Sequence, residues 1–111
     1  MKATFGEFIR KLRTEKHLTL TQLAAQLELD SANLSKIENG KREFDEKRLV
    51  KLATAFDLDI SLIKTEFFSD LFAKKIYQND CSLETLMAAE EKVAYLKSKN
   101  TKQGKLKFEK E

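Results

Sequence analysis

Not one of the 111 residues is proline, and only three are glycine. A chain so poor in turn-forming residues argues against a turn-rich all-β fold and for helices. The apolar residues agree. Phe5, Phe8, Ile9 and Leu12 recur at helical spacing with Arg10, Lys11 and Arg13 between them, predicting a first helix over about 4–16. Thr19 or Thr21 caps a second short helix carrying Leu23, Ala24 and Leu27. Asp30 caps a third, Ser31 to Glu38, with Leu34 and Ile37 inward, and Asn39-Gly40 ends it. Asp45 opens a fourth, whose expected buried face is Leu49, Val50, Leu52, Ala53 and Phe56. Asp59 caps a short fifth turn through Leu62 and Ile63.

Beyond residue 64 the pattern changes. Ile63, Phe67, Phe68, Leu71, Phe72 and Ile76 form an apolar helical stripe, broken by Gln78-Asn79-Asp80. Ser82 then caps a last helix with Leu83, Leu86, Met87, Val93, Ala94 and Leu96. The expected fold is all-α: a five-helix domain over 1–64, a two-helix extension over 65–97, and a tail over 98–111. The tail, rich in lysine with almost nothing to bury, is expected to be disordered.

Charge follows these divisions. Net charge is +3, distributed as +2 over 1–65, −3 over 66–96 and +4 over 97–111. A basic tail can add nonspecific attraction for phosphate, or simply be a solvated terminus. No apolar run approaches the roughly 20 residues of a membrane span, and no secretory signal pattern opens the chain, so a cytoplasmic protein is expected. Cys81 is the only cysteine and His17 the only histidine. That excludes an intrachain disulfide and clustered zinc ligands, and leaves no catalytic constellation; no cofactor is expected. His17 reads as a capping or surface residue near a helix end, and Cys81 as a small, partly buried thiol.

Two short helices joined by a tight turn, the second capped by Asp30, describe a helix-turn-helix. Three blocks make the reading specific: Leu18-Thr19-Leu20-Thr21-Gln22-Leu23-Ala24, Leu29-Asp30-Ser31, and Leu34-Ser35-Lys36-Ile37-Glu38-Asn39-Gly40-Lys41-Arg42. They closely resemble the Cro/phage-repressor-type helix-turn-helix family, also called the xenobiotic-response-element family. Leu49 to Phe56 matches that family's fourth helix, and the resemblance covers about residues 4–64. It implies a Cro/repressor-like domain whose recognition helix enters the major groove. Ser31, Ala32 and Lys36 then fall at base-reading positions, with Asn33 beside them. Lysine suits guanine, asparagine adenine and alanine the thymine methyl. The alternative for these residues is an ordinary polar helix face. Thr19, Thr21, Asn39, Lys41 and Arg42 fit phosphate contacts, the last two having a solvated helix end as alternative. The resemblance also implies that Arg13 pairs with Glu38 and orients the recognition helix.

The sequence departs from the family at four places. Leu20 stands where glutamine is common, Phe44 where proline is frequent, and Glu28 and Asp57 where glycine is usual. A residue other than glycine at a left-handed position carries a backbone cost.

The resulting expectation is a sequence-specific transcriptional regulator that binds double-stranded DNA at a two-fold symmetric operator as a homodimer. A restriction–modification controller is a plausible specific role, since such controllers are single domains of similar size. Phe67, Phe68, Leu71, Phe72, Ile76, Leu83, Leu86, Met87, Val93 and Leu96 are the expected dimerisation residues, being more apolar than two exposed helices should tolerate. For these helices the alternative is a hairpin packed against the first domain as intramolecular core; for the function it is an antitoxin-type interaction module whose C-terminal helices bind a toxin or other partner protein.

Overall fold

The computed structural model describes residues 3–103 and contains six helices: α1 (Phe5–Glu15), α2 (Leu20–Leu27), α3 (Ser31–Glu38), α4 (Leu49–Phe56), α5 (Ile60–Gln78) and α6 (Glu84–Gln103). A single 3-10 turn, Glu46–Arg48, precedes α4. The start signals are local. Thr4 and Thr19 cap α1 and α2 in reciprocal capping boxes with Glu7 and Gln22. The Asp30 carboxylate accepts from the Asn33 amide at 2.7 Å and opens α3. Asp45 caps the 3-10 turn rather than α4 itself, and Asp59 accepts from the Ser61 amide at the start of α5.

Five helix ends close in one way. After α1 to α5 the chain passes through a left-handed residue, in turn His17, Glu28, Gly40, Asp57 and Asp80. The next amide donates back over five residues: Leu18 to Arg13, Leu29 to Ala24, Lys41 to Lys36, Leu58 to Ala53 and Cys81 to Ile76, all at 2.8–3.0 Å. At three of these ends the following residue is a leucine that packs on the core: Leu18, Leu29 and Leu58.

The chain divides into two compact units, one ending at Phe72 and one beginning at Ala73. The core of the first unites Phe5, Phe8 and Ile9 of α1 with Leu23 and Leu27 of α2, Leu34 and Ile37 of α3, and Leu49, Leu52 and Phe56 of α4. Gly6 is required here. A Cβ at this position would stand 2.2 Å from the Ile37 carbonyl oxygen and 2.9 Å from that of Glu38, so only glycine lets α1 approach the end of α3.

Several expectations are corrected. Val50 is 64% exposed, because Leu49, Leu52, Ala53 and Phe56 already form the i, i+3, i+4, i+7 face and Val50 lies a hundred degrees around the helix. The short fifth helix and the first extension helix are one continuous α5, since nothing between Ile63 and Gln78 interrupts the backbone hydrogen bonds. Continuity carries Phe67 one turn beyond Ile63 into the first core, where its ring meets that of Phe5 edge-on at 5.2 Å. Phe67 is therefore a core residue and not part of a free dimerisation surface. Ser82 supports the start of α6 through its backbone carbonyl, which accepts from Thr85. Helix α6 runs to Gln103, so 98–103 of the expected disordered tail is helical, its Lys, Ser, Asn, Thr and Gln run containing no helix breaker. Residues 104–111 of that tail lie outside the described residues. Cys81 is exposed, because the chain leaves α5 there through the left-handed Asp80.

In the second unit, none of residues 73–100 is buried. Leu83, Leu86, Met87, Val93, Tyr95 and Leu96 all face solvent. Among the described residues, no helix is long and apolar enough to cross a membrane.

Candidate nucleic-acid interface

Helices α2 and α3 are joined by Glu28-Leu29-Asp30. Leu23, Ala24 and Leu27 of α2 and Leu34 and Ile37 of α3 are turned into the core. This fixes what α3 can show to the outside. Ala32 and Lys36 are exposed, while Ser31, Asn33 and Ser35 are partly exposed. Asn33 is already engaged: its side-chain amide donates to the Asp30 carboxylate at 3.1 Å. One N–H and the amide oxygen of Asn33 remain for an outside partner.

Glu38, the last residue of α3, is 3% exposed and is the one buried charged residue of the described core. An ionised carboxylate there must be paired and hydrogen-bonded. Arg13 of α1 supplies a two-point fork, Nε to Oε2 at 2.7 Å and Nη2 to Oε1 at 3.0 Å. Its third nitrogen, Nη1, donates to the Leu18 carbonyl at 2.9 Å, tying the pair to the connection before α2. Hydrogen bonding to Glu38 raises the Arg13 pKa above its ordinary value, with burial opposing and the carboxylate charge adding to the rise. Arg13 is thus cationic at any pH the fold experiences. The resulting assembly holds three segments together: α1, the entry to α2 and the end of α3.

A second arginine, not evident from the sequence, joins the pair. Arg10 donates from Nε to Glu38 Oε1 at 3.3 Å and from Nη2 to the Asn39 side-chain oxygen. The Asn39 amide nitrogen donates to the Ser35 carbonyl at 3.0 Å. Only the i, i+3 spacing of Arg10 and Arg13 on α1 hinted at this, and that spacing equally describes a solvated face. The role of Arg48 is likewise not evident from the sequence. This side chain donates from Nε to the Leu27 carbonyl at 2.9 Å and from Nη2 to the Glu28 carbonyl at 3.3 Å, satisfying the end of α2.

The remaining residues take different places. The Thr19 hydroxyl accepts from the Gln22 amide, leaving its own proton for an outside acceptor. Thr21 is exposed on the first turn of α2. Lys41 and Arg42 are exposed just beyond α3 and form no ion pair among the described residues. Leu20 is partly buried against the core.

A short helix held by its apolar face and a buried ion pair, with a polar face turned outward, defines a helix-turn-helix DNA-binding module. The helix-turn-helix family model matches residues 9–63. Control protein C.MunI of a Mycoplasma species is 39% identical over 72 residues, which span 64% of this chain and 92% of that protein. The HTH-type transcriptional repressor RghR of Bacillus subtilis (strain 168) is 34% identical over 84 residues, spanning 72% of this chain and 62% of RghR. The solved structure of the clp gene regulator ClgR from Corynebacterium glutamicum shares the fold, with a TM-score of 0.51 and 23% identity. That match covers 83% of this chain and 84% of ClgR. This chain belongs to the Cro/C1-type helix-turn-helix family of DNA-binding regulators.

Proposed function

We propose that the chain is a control protein of the restriction–modification type, acting as a homodimer on a two-fold symmetric operator. The observation that carries this reading is the outward face of α3, held in place by the buried Arg13–Glu38 pair. On this reading Ser31, Ala32, Asn33 and Lys36 meet base edges, each good specific pair contributing about 1–3 kcal/mol of discrimination. Thr19, Thr21, Asn39, Lys41 and Arg42 meet phosphates, and Arg13 with Glu38 orients α3. Similarity to a control protein over 92% of that protein's length supports the specific role.

The unburied second unit supports association. A helix of 20 residues gains little from propensity alone and takes most of its stability from packing its apolar side. Dimerisation through Phe68, Leu71, Phe72, Ile76, Leu83, Leu86, Met87, Val93 and Leu96 supplies that packing. The exposed Met87 and Val93 also favour a second reading, an antitoxin-type module that covers a partner protein with this segment.

The test is selection from a library of random duplexes at physiological salt, with sequencing of the retained DNA. A two-fold symmetric motif is the expected result. Retention without an enriched motif, lost as salt rises, would reduce the activity to phosphate attraction. Sedimentation of the free chain separates the second reading: a symmetric dimer favours the operator-binding regulator, and a monomer the partner-binding module.

A further inference from the structure

We propose that Arg10 is a phosphate-binding residue, delivered by α1 to the end of the recognition helix, and that it sets the Asn39 amide for the same backbone. The inference rests on the DNA-binding reading above and adds to it a contact from outside the two motif helices. Glu38 does not need Arg10. Its two oxygens are already held by the Arg13 fork, and Arg10 adds one longer bond, 3.3 Å, to an oxygen that accepts from Arg13 at 3.0 Å. Two guanidinium groups on one carboxylate leave a surplus positive charge. That surplus sits on the outside, because the Arg10 side chain is 45% exposed and that of Arg13 only 14%. Arg10 Nη1 has no partner among the described residues.

The position is equally specific. Ser31, Ser35 and Asn39 are spaced four apart and form one row along α3, which Asn39 ends as the C-cap. Arg10 donates to Asn39 at the foot of that row. This orients the amide, its oxygen towards Arg10 and its nitrogen towards Ser35, donating to the carbonyl at 3.0 Å and to the hydroxyl at a long 3.5 Å, a weak contact that a phosphate oxygen can displace. Lys41 and Arg42 follow on the same helix end. A guanidinium edge beside an amide at this helix end, with two exposed cations next in sequence, suits a phosphodiester, a planar fork being matched to phosphate oxygens.

The test is a salt series of binding to a mixed-sequence duplex, and to the duplex recovered by selection, for the full chain and for Arg10→Ala, Arg10→Gln and Arg10→Lys. Glutamine retains a donor for Asn39 without the charge; lysine retains the charge without the fork. The slope of log affinity against log salt is expected to become shallower by about 0.9 per protomer in Arg10→Ala and Arg10→Gln and to stay near wild type in Arg10→Lys. The loss should be equal on both duplexes, since phosphate contacts carry no sequence information. An unchanged slope in Arg10→Ala and Arg10→Gln overturns the proposal, leaving Arg10 as a support for Asn39. Melting of each variant shows whether a loss of affinity comes from the fold, and a slope change in a variant that melts like wild type supports the contact. A wild-type chain that retains no duplex would overturn the DNA-binding reading and this one together, whereas wild-type binding with unaltered slopes overturns this one alone.

Discussion

Gly6 is a residue whose importance lies entirely outside its own neighbourhood in sequence. It sits in the first turn of α1, where alanine has the better helix propensity, yet a methyl group would run into the carbonyls that end α3. Gly6→Ala is expected to lower stability by about 1–3 kcal/mol, measured by urea unfolding, because the clash is with backbone and not with a movable side chain. Glu28 is the opposite case. It holds a left-handed conformation, and Glu28→Gly is expected to raise stability by about 0.5–1 kcal/mol, the relief of strain exceeding the greater chain entropy of glycine. An unchanged or lowered midpoint would show that the exposed Glu28–Lys51 pair, at 3.8 Å, matters more than the backbone. Arg13→Ala removes the fork from a buried carboxylate and should cost about 3 kcal/mol, near the lower end for such pairs because Arg10 remains. The Glu28 turn was legible in the sequence from its family position. The Gly6 constraint was not, because it depends on a carbonyl more than thirty residues away.

At the scale of elements, starts and stops were legible and continuity was not. Capping residues announce α2 and α3, because a cap is a local bond between a side chain and an amide three residues on, whereas α1 is announced by its apolar spacing and its Thr4 cap emerges only in the structure. The length of α5 differs from the expected one because a change in apolar pattern looks the same whether a helix ends or merely passes from one environment to another. In α5 the first turns are buried at Ile63 and Phe67, while Leu71 and Phe72 are exposed. Phe67→Ala is therefore expected to destabilise the first unit by about 3–5 kcal/mol, as for other buried phenylalanines. Phe72→Ala should leave thermal unfolding of that unit nearly unchanged, and equal losses from both would contradict the division seen in α5.

For the whole molecule, the two units differ in what they expose. The first unit buries its apolar residues and turns a polar face outward; the second exposes Leu83, Leu86, Met87, Val93 and Leu96. On the proposed dimeric reading, Leu86→Glu combined with Val93→Glu in the full chain is expected to give a monomer by sedimentation where the parent chain gives a dimer, since each protomer would bring two unpaired charges into the interface. The first unit should keep its melting behaviour, because neither residue belongs to its core. A dimer that survives both changes would place the association elsewhere.

The helical class, most helix ends and the helix-turn-helix motif can be read from the residues alone. Each rests on interactions within a few residues: capping bonds, the 3.6-residue period and the left-handed turn. The sequence also carried the Arg13–Glu38 pairing, through the resemblance of its motif to a family. That Phe67 is core, that Val50 is surface, that α1 touches α3 through Gly6 and that Arg10 reaches Asn39 emerge only when the helices are packed together. These depend on which helices meet and at what distance, and a periodic pattern gives a helix a buried side without saying what will lie against it.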